Sequence, residues 1–261
     1  MNLKLILVGL AAAAMLLPVG AALPPVDFPL EHLLPTDFTC EQGAHTTSFP
    51  DPTHPDLIVN VHIQCPDPNP GMILDTDCTG TSWSHWIGPI KAPWTYTYDT
   101  TNPFGFSQSA VNSAWSSSST VWEAATSPAT NIFDGFVNGG TGANSGTYDS
   151  FVLAEFRLLG GQLRNAVGVQ WAWQGSGADA GKIIHTDAAY NTRYAFALGA
   201  EANKYDLQSV ASHEMGHGYG LGHSNTAASS ACLTLYPYAT LNAIHGRTLG
   251  DGDLTSIQNR Y

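Results

Sequence analysis

Residues 206–224 read DLQSVASHEMGHGYGLGHS, and this stretch constrains the chain more than any other. His213 and His217 stand four residues apart, so on a helix they share one face and can aim ring nitrogens at one point. Asp206 can cap such a helix beginning at Leu207. His223 comes ten residues after His213, too far along a helix axis to meet the other two, so the chain must turn sharply between them. Gly220 stands where a residue without a Cβ can leave a helix in the left-handed conformation, and Gly222 loosens the approach further. Three imidazoles brought together in this way leave one position of a tetrahedral ion open to water, the arrangement of a catalytic zinc and not of a closed structural one. Glu214, beside the first of them, can serve as base toward that water. A bare HExxH is common in unrelated helices, but the added Gly220 and His223 make the pattern far more specific.

The rest of the chain alternates strand-like and helix-like patterns. Residues 23–92 are rich in proline and turn signals and contain one clear strand pattern, in which Leu57, Val59, Val61 and Ile63 alternate on one face. His32, His45, His54 and His62 fall in this extension, with spacings that fit no metal template, and read as ordinary surface or buried histidines. From residue 94 the pattern becomes regular. Trp94, Tyr96 and Tyr98 alternate as in a strand; Val111, Ala114, Trp115, Ser118 and Trp122 recur with helical spacing. Further strands are predicted over 132–137, 151–158, 167–173 and 182–190. The glycine-rich run 139–146 has neither a phosphate-loop lysine nor a helix behind it, so it reads as a loop. Leu254, Ile257 and Tyr261 predict a last helix with one face on the core.

Residues 1–22, with Lys4, an apolar run over 5–17 and small residues at 20–22, read as a cleaved export signal; the run is too short for a spanning helix, and no later segment supplies one. A secreted, extracellular chain with no stable membrane association is expected, as a monomer. Charged residues are only 11% of the chain, but 43% hydrophobic content argues for a folded core. A net charge of −12 argues against nucleic-acid binding, which needs clustered Lys and Arg. The even count of Cys40, Cys65, Cys78 and Cys232 in an exported chain suggests two disulfides. The pairing stays open, with a bridge between Cys65 and Cys78 suggested by their short separation; in a rival reading one thiolate caps the metal in a latent precursor.

His213, Glu214, His217, Gly220 and His223 match the metzincin signature, and Ser224 after them resembles the matrixin branch, the family of matrix metalloproteinases. Residues 187–191 (DAAYN) are similar to the matrixin strand preceding the active-site helix, and 248–261 to the final helix. The resemblance spans roughly residues 94–261, so the chain divides into the signal, an extension over 23–92 that is a propeptide or part of the mature domain, and a catalytic domain over 93–261. It implies an α+β fold: a twisted, mostly parallel five-stranded sheet with three helices, and a substrate cleft between an edge strand and the zinc. It implies a zinc-dependent endopeptidase acting on protein or peptide substrates, with His213, His217 and His223 as metal ligands and Glu214 as catalytic residue. Where metzincins place a methionine beneath the zinc this chain has Leu235, which conserves volume; 238–246 would form the outer wall of the specificity pocket. The family often binds calcium, for which Asp149, Asp179 and Asp187 are candidates; a second, structural zinc is not expected, although His185 and Asp187 have a suggestive spacing. Two readings compete with the protease: a catalytically weak or inactive secreted zinc-binding protein of the same fold, and a structural surface protein suggested by the Ser/Thr/Gly-rich composition.

Overall fold

A computed structural model describes residues 30, 33–43, 45–69, 78–82, 84, 87–91, 94–126, 133–138, 145–149 and 151–261, with backbone alone for 94 and 133–138. The export-signal segment, His32 and residues 139–144 of the glycine-rich run lie outside them. Among the described residues no helix is long and apolar enough to cross a membrane.

The architecture is α+β. One mixed sheet is built from β1 (Thr46–Pro50), β2 (Ile58–Pro66), β3 (Trp94–Asp99), β4 (Phe133–Asn138), β5 (Val152–Arg157), β6 (Gly168–Gln174) and β7 (Ile183–Asn191). β8 (Phe196–Ala197) and β9 (Tyr205–Asp206) form a separate short pair, and β10 (Tyr238–Ala239) joins the main sheet through β2. Three α-helices are delimited among the described residues: α1 (Gln108–Glu123), α2 (Leu207–Gly218) and α3 (Asp251–Gln258). The strand order is β1-β2-β6-β7-β5-β3-β4. The five strands from β6 to the β4 edge are those expected, with β4, β3, β5 and β7 mutually parallel and β6 antiparallel beside β7.

The sheet does not end at β6. β2 pairs antiparallel with β6, Val61 opposite Trp171 and His62 opposite Gln170, and β1 pairs antiparallel with β2. The N-terminal extension is therefore part of the same sheet, and β1 is a strand that its sequence, TTSFP, did not announce.

Strand periodicity explains why β2 is held. Val59, Val61 and Ile63 point into an apolar cluster with Val169, Trp171 and Trp173 of β6, as the alternation predicts. Burying each such aliphatic side chain contributes roughly 1.5–3 kcal/mol. The indole of Trp173 also donates to the buried Asp51 carboxylate at 2.7 Å, fixing the turn before β2. The opposite face of the sheet packs on α1 and α2 through Tyr96, Tyr98, Trp115, Trp122, Val210 and Met215.

The disulfides pair Cys40 with Cys65 and Cys78 with Cys232. This overturns the suggested bridge between Cys65 and Cys78: short sequence separation counted for less than the sheet, which brings the end of β2 beside residue 40 and the segment after the proline run beside residue 232. No thiol remains free to cap a metal.

Candidate metal centre

α2 begins where Asp206 predicts. Its carboxylate accepts from the Ser209 amide at 2.9 Å, and the same group is gripped by Arg247 through Nε at 2.8 Å and Nη2 at 2.6 Å. The helix ends in two hydrogen bonds that close its last turn, Gly220 N–H to the His217 carbonyl and Leu221 N–H to the Gly216 carbonyl. Gly220 has φ +82°, and a Cβ there would stand 1.9 Å from the Gly88 carbonyl oxygen, so this turn accepts only glycine. Because the chain reverses here, His223 returns to the ring pair on the helix.

The three Nε2 atoms then converge: His213 to His217 at 3.0 Å, and each of these to His223 at 3.2 Å. Their outer nitrogens decide what these contacts are. His213 Nδ1 donates to the Thr234 carbonyl and His217 Nδ1 to the Leu221 carbonyl, both at 2.7 Å. A carbonyl only accepts, so each neutral ring carries its proton on Nδ1 and turns a bare lone pair inward. Nitrogens so arranged repel one another rather than hydrogen-bond. A tetrahedral zinc with Zn–N near 2.0–2.1 Å would hold its nitrogens about 3.4 Å apart, so the set fits a cation with little adjustment. Burial, reinforced for His213 and His223 by neighbouring imidazoles, lowers all three basicities, His217 to about 4, which keeps the rings neutral and able to ligate.

Glu214 is completely buried, and neither carboxylate oxygen has a hydrogen-bond partner among the described residues. Burial pushes its carboxyl well above the ordinary range. Room for it is made by Gly168 at the start of β6, where a Cβ would lie 2.3 Å from Glu214 Oε1. Beneath the rings, Leu235 is buried at the expected turn, and its carbonyl accepts from Ser224 N–H at 2.9 Å. Leu235 packs tightly on Gly216 between the two helical histidines, where a Cβ would meet its side chain at 2.7 Å. The turn itself is tied to α3 by Asp253, whose carboxylate accepts from the amides of Thr234, Leu235 and Gly250; burial raises its pKa to about 6.

A protein-family model described as Matrixin matches residues 164–261, which contain β6, β7, the histidine motif and α3. This part of the chain is matrixin-like. Matrixins are metzincin domains of the metalloprotease type, a family that normally binds zinc. No curated protein matches the chain. In the matrixin-like region, 238–246 contribute to a cavity of only about 20 Å³, lined also by Gln64, Val210 and Leu233.

Two groups of His, Cys, Asp or Glu donors able to hold an ion occur among the described residues: His213, Glu214 and His217, and His62, His217 and His223. His62 was read from sequence as an ordinary histidine, and nothing in its spacing could have placed it beside residues 217 and 223. Thr46 was missed likewise. Its Oγ1 lies 3.2 Å from His62 Nδ1 and 3.2 Å from His223 Nδ1, so β1 supplies the outer partner of the third ring. The calcium candidates find no support: Asp179 pairs with Lys91 and Lys182, Asp149 accepts from the Phe151 amide, and Asp187 accepts from the amides of Gly146 and Leu153. His185 lies 3.4 Å from Asp187, but these two belong to neither donor group.

Proposed function

We propose that the chain is a secreted zinc-dependent endopeptidase, with His213, His217 and His223 as ligands and Glu214 as the acid–base group. The carrying observation is the convergence of three Nε2 lone pairs beside a buried, unpartnered carboxylate. Bound there, zinc would supply Lewis acidity toward water and the scissile carbonyl. The residues do the rest. Thr234 and Leu221 fix the tautomers of two rings, and Thr46 orients the third. Glu214 takes a proton from the attacking water and passes it to the departing amine, and the burial that raises its pKa favours holding that proton between the two steps. The domain division follows the same reading, with 1–22 as export signal, 23–92 as the extension and 93–261 as the catalytic domain.

Glu214→Gln should keep one equivalent of zinc and lose at least a hundredfold in cleavage of a denatured protein substrate. Undiminished turnover would reject the role. His223→Ala should lower metal content, and full zinc retention would remove it from the ligand set. A second reading, an inactive zinc-binding protein of this fold, is favoured by one observation: β2 already pairs with the outer edge of β6. Chelator-sensitive proteolysis by the purified chain separates the two.

A further inference from the structure

The three converging rings are not held alike. His213 and His217 donate Nδ1–H to main-chain carbonyls, those of Thr234 and Leu221, whereas the outer partner of His223 is the side-chain hydroxyl of Thr46. A carbonyl only accepts, so it fixes the tautomer of the ring that bonds to it. A hydroxyl can donate or accept and turns about its own bond, so it fixes a tautomer only when something holds it in turn. Thr46 is exposed on β1, where solvent competes for that hydroxyl.

The group that holds it is His62. Thr46 Oγ1 bridges two rings, 3.2 Å from His62 Nδ1 and 3.2 Å from His223 Nδ1, and Thr46 stands directly opposite His62 in the pairing of β1 with β2. With Val59, Val61 and Ile63 in the apolar cluster, alternation turns His62 to the other face of β2, where it is completely buried. Its ring stacks on that of His217, centroids 4.2 Å apart and planes 15° apart. Imidazole lone pairs lie in the ring plane, so two nearly parallel stacked rings cannot both aim at one ion. His62 therefore supports the centre and does not join its ligands, although its nearest nitrogen is within 4.8 Å of donor atoms of His217 and His223.

We propose that His62 is a positioning residue of the metal centre, acting on His223 through Thr46. Its Nδ1 accepts the Thr46 hydroxyl proton, which leaves the Thr46 oxygen to accept from His223 Nδ1–H and turns the bare Nε2 of His223 inward. The polarity of this chain matters. In the reverse order Thr46 would donate to His223 Nδ1, placing that neutral ring's proton on Nε2 and blocking ligation. The proposal rests on the zinc reading given above.

The test measures zinc affinity of the full chain by competition with a chromophoric chelator. Outer partners of metal-bound histidines are typically worth about ten- to a hundredfold in affinity. Thr46→Val should weaken binding at least tenfold, and so should His62→Phe, which keeps an aromatic ring against His217 but offers no acceptor. His62→Leu serves if the phenylalanine variant does not fold. Because His62 acts through the hydroxyl, the double variant should bind zinc no more weakly than Thr46→Val alone. A ring that only packs would add its own loss to that of Thr46→Val. Native affinity in the His62 variant, or additive losses in the double variant, overturns the proposal. Failure of the unaltered chain to take up zinc at all refutes the zinc reading itself, and is a different result.

Discussion

Gly168 shows how closely a single side chain is fitted here. Its α-carbon stands so near Glu214 that a methyl group would overlap Oε1, so Gly168→Ala must displace the carboxylate, the β6 backbone or both. We expect the variant to bind zinc normally and to lose at least tenfold in kcat/KM, with little change in KM; full activity would show that Glu214 is free to move. His185 offers a pH signature remote from the centre. Burial opposes its charge, but the Asp187 and Asp149 carboxylates and the Thr147 backbone outweigh this and raise its pKa above the ordinary value. A histidine so raised stabilises the fold fully below about pH 6.5, and that stabilisation is lost as pH rises through its folded-state pKa. Melting temperatures measured across pH 5.5–8.5 should therefore fall more steeply for the native chain than for His185→Gln; parallel curves would disprove the coupling.

At the level of elements, α2 depends on how its first residue is held. Asp206 is both N-cap and the buried partner of Arg247, which reaches it from the segment that follows β10. Losing a cap costs about 1 kcal/mol, and stranding half of a buried ion pair costs more, so Asp206→Ala should destabilise the protein by about 3 kcal/mol. Denaturant unfolding measures this directly. Arg247→Met, which leaves the cap intact, should cost less, and equal losses would mean that the cap itself contributes little. Met215 and Val210 lie on the same helix and anchor it to the sheet, so the histidines ride on an element fixed at its start, its flank and its glycine exit.

For the molecule as a whole, the disulfides divide the work unequally. Cys78–Cys232 spans 154 residues and Cys40–Cys65 spans 25. Chain entropy alone assigns them about 5 and about 3.5 kcal/mol respectively. Replacing Cys78 and Cys232 together by serine should thus lower the melting temperature more than replacing Cys40 and Cys65. The opposite order would show that the extension, and not the loop closed onto residue 232, holds the weaker part of the fold together.

Local chemistry determined much of this from the chain alone. The four-residue spacing of His213 and His217, the capping carboxylate of Asp206 and the Cβ-free Gly220 act over one or two helical turns, so the converging rings were legible in the sequence. Alternation did the same for β2, β3, β5, β6 and β7, because the pleat repeats every two residues. What lies opposite a strand is not encoded in its own periodicity. That β2 takes the edge of β6, that Thr46 and His62 meet rings more than 150 residues away, and that Cys65 finds Cys40 were decided only when the sheet assembled. Such pairings are chosen by burial and backbone hydrogen bonding summed over the whole fold, and no short stretch of sequence carries that sum.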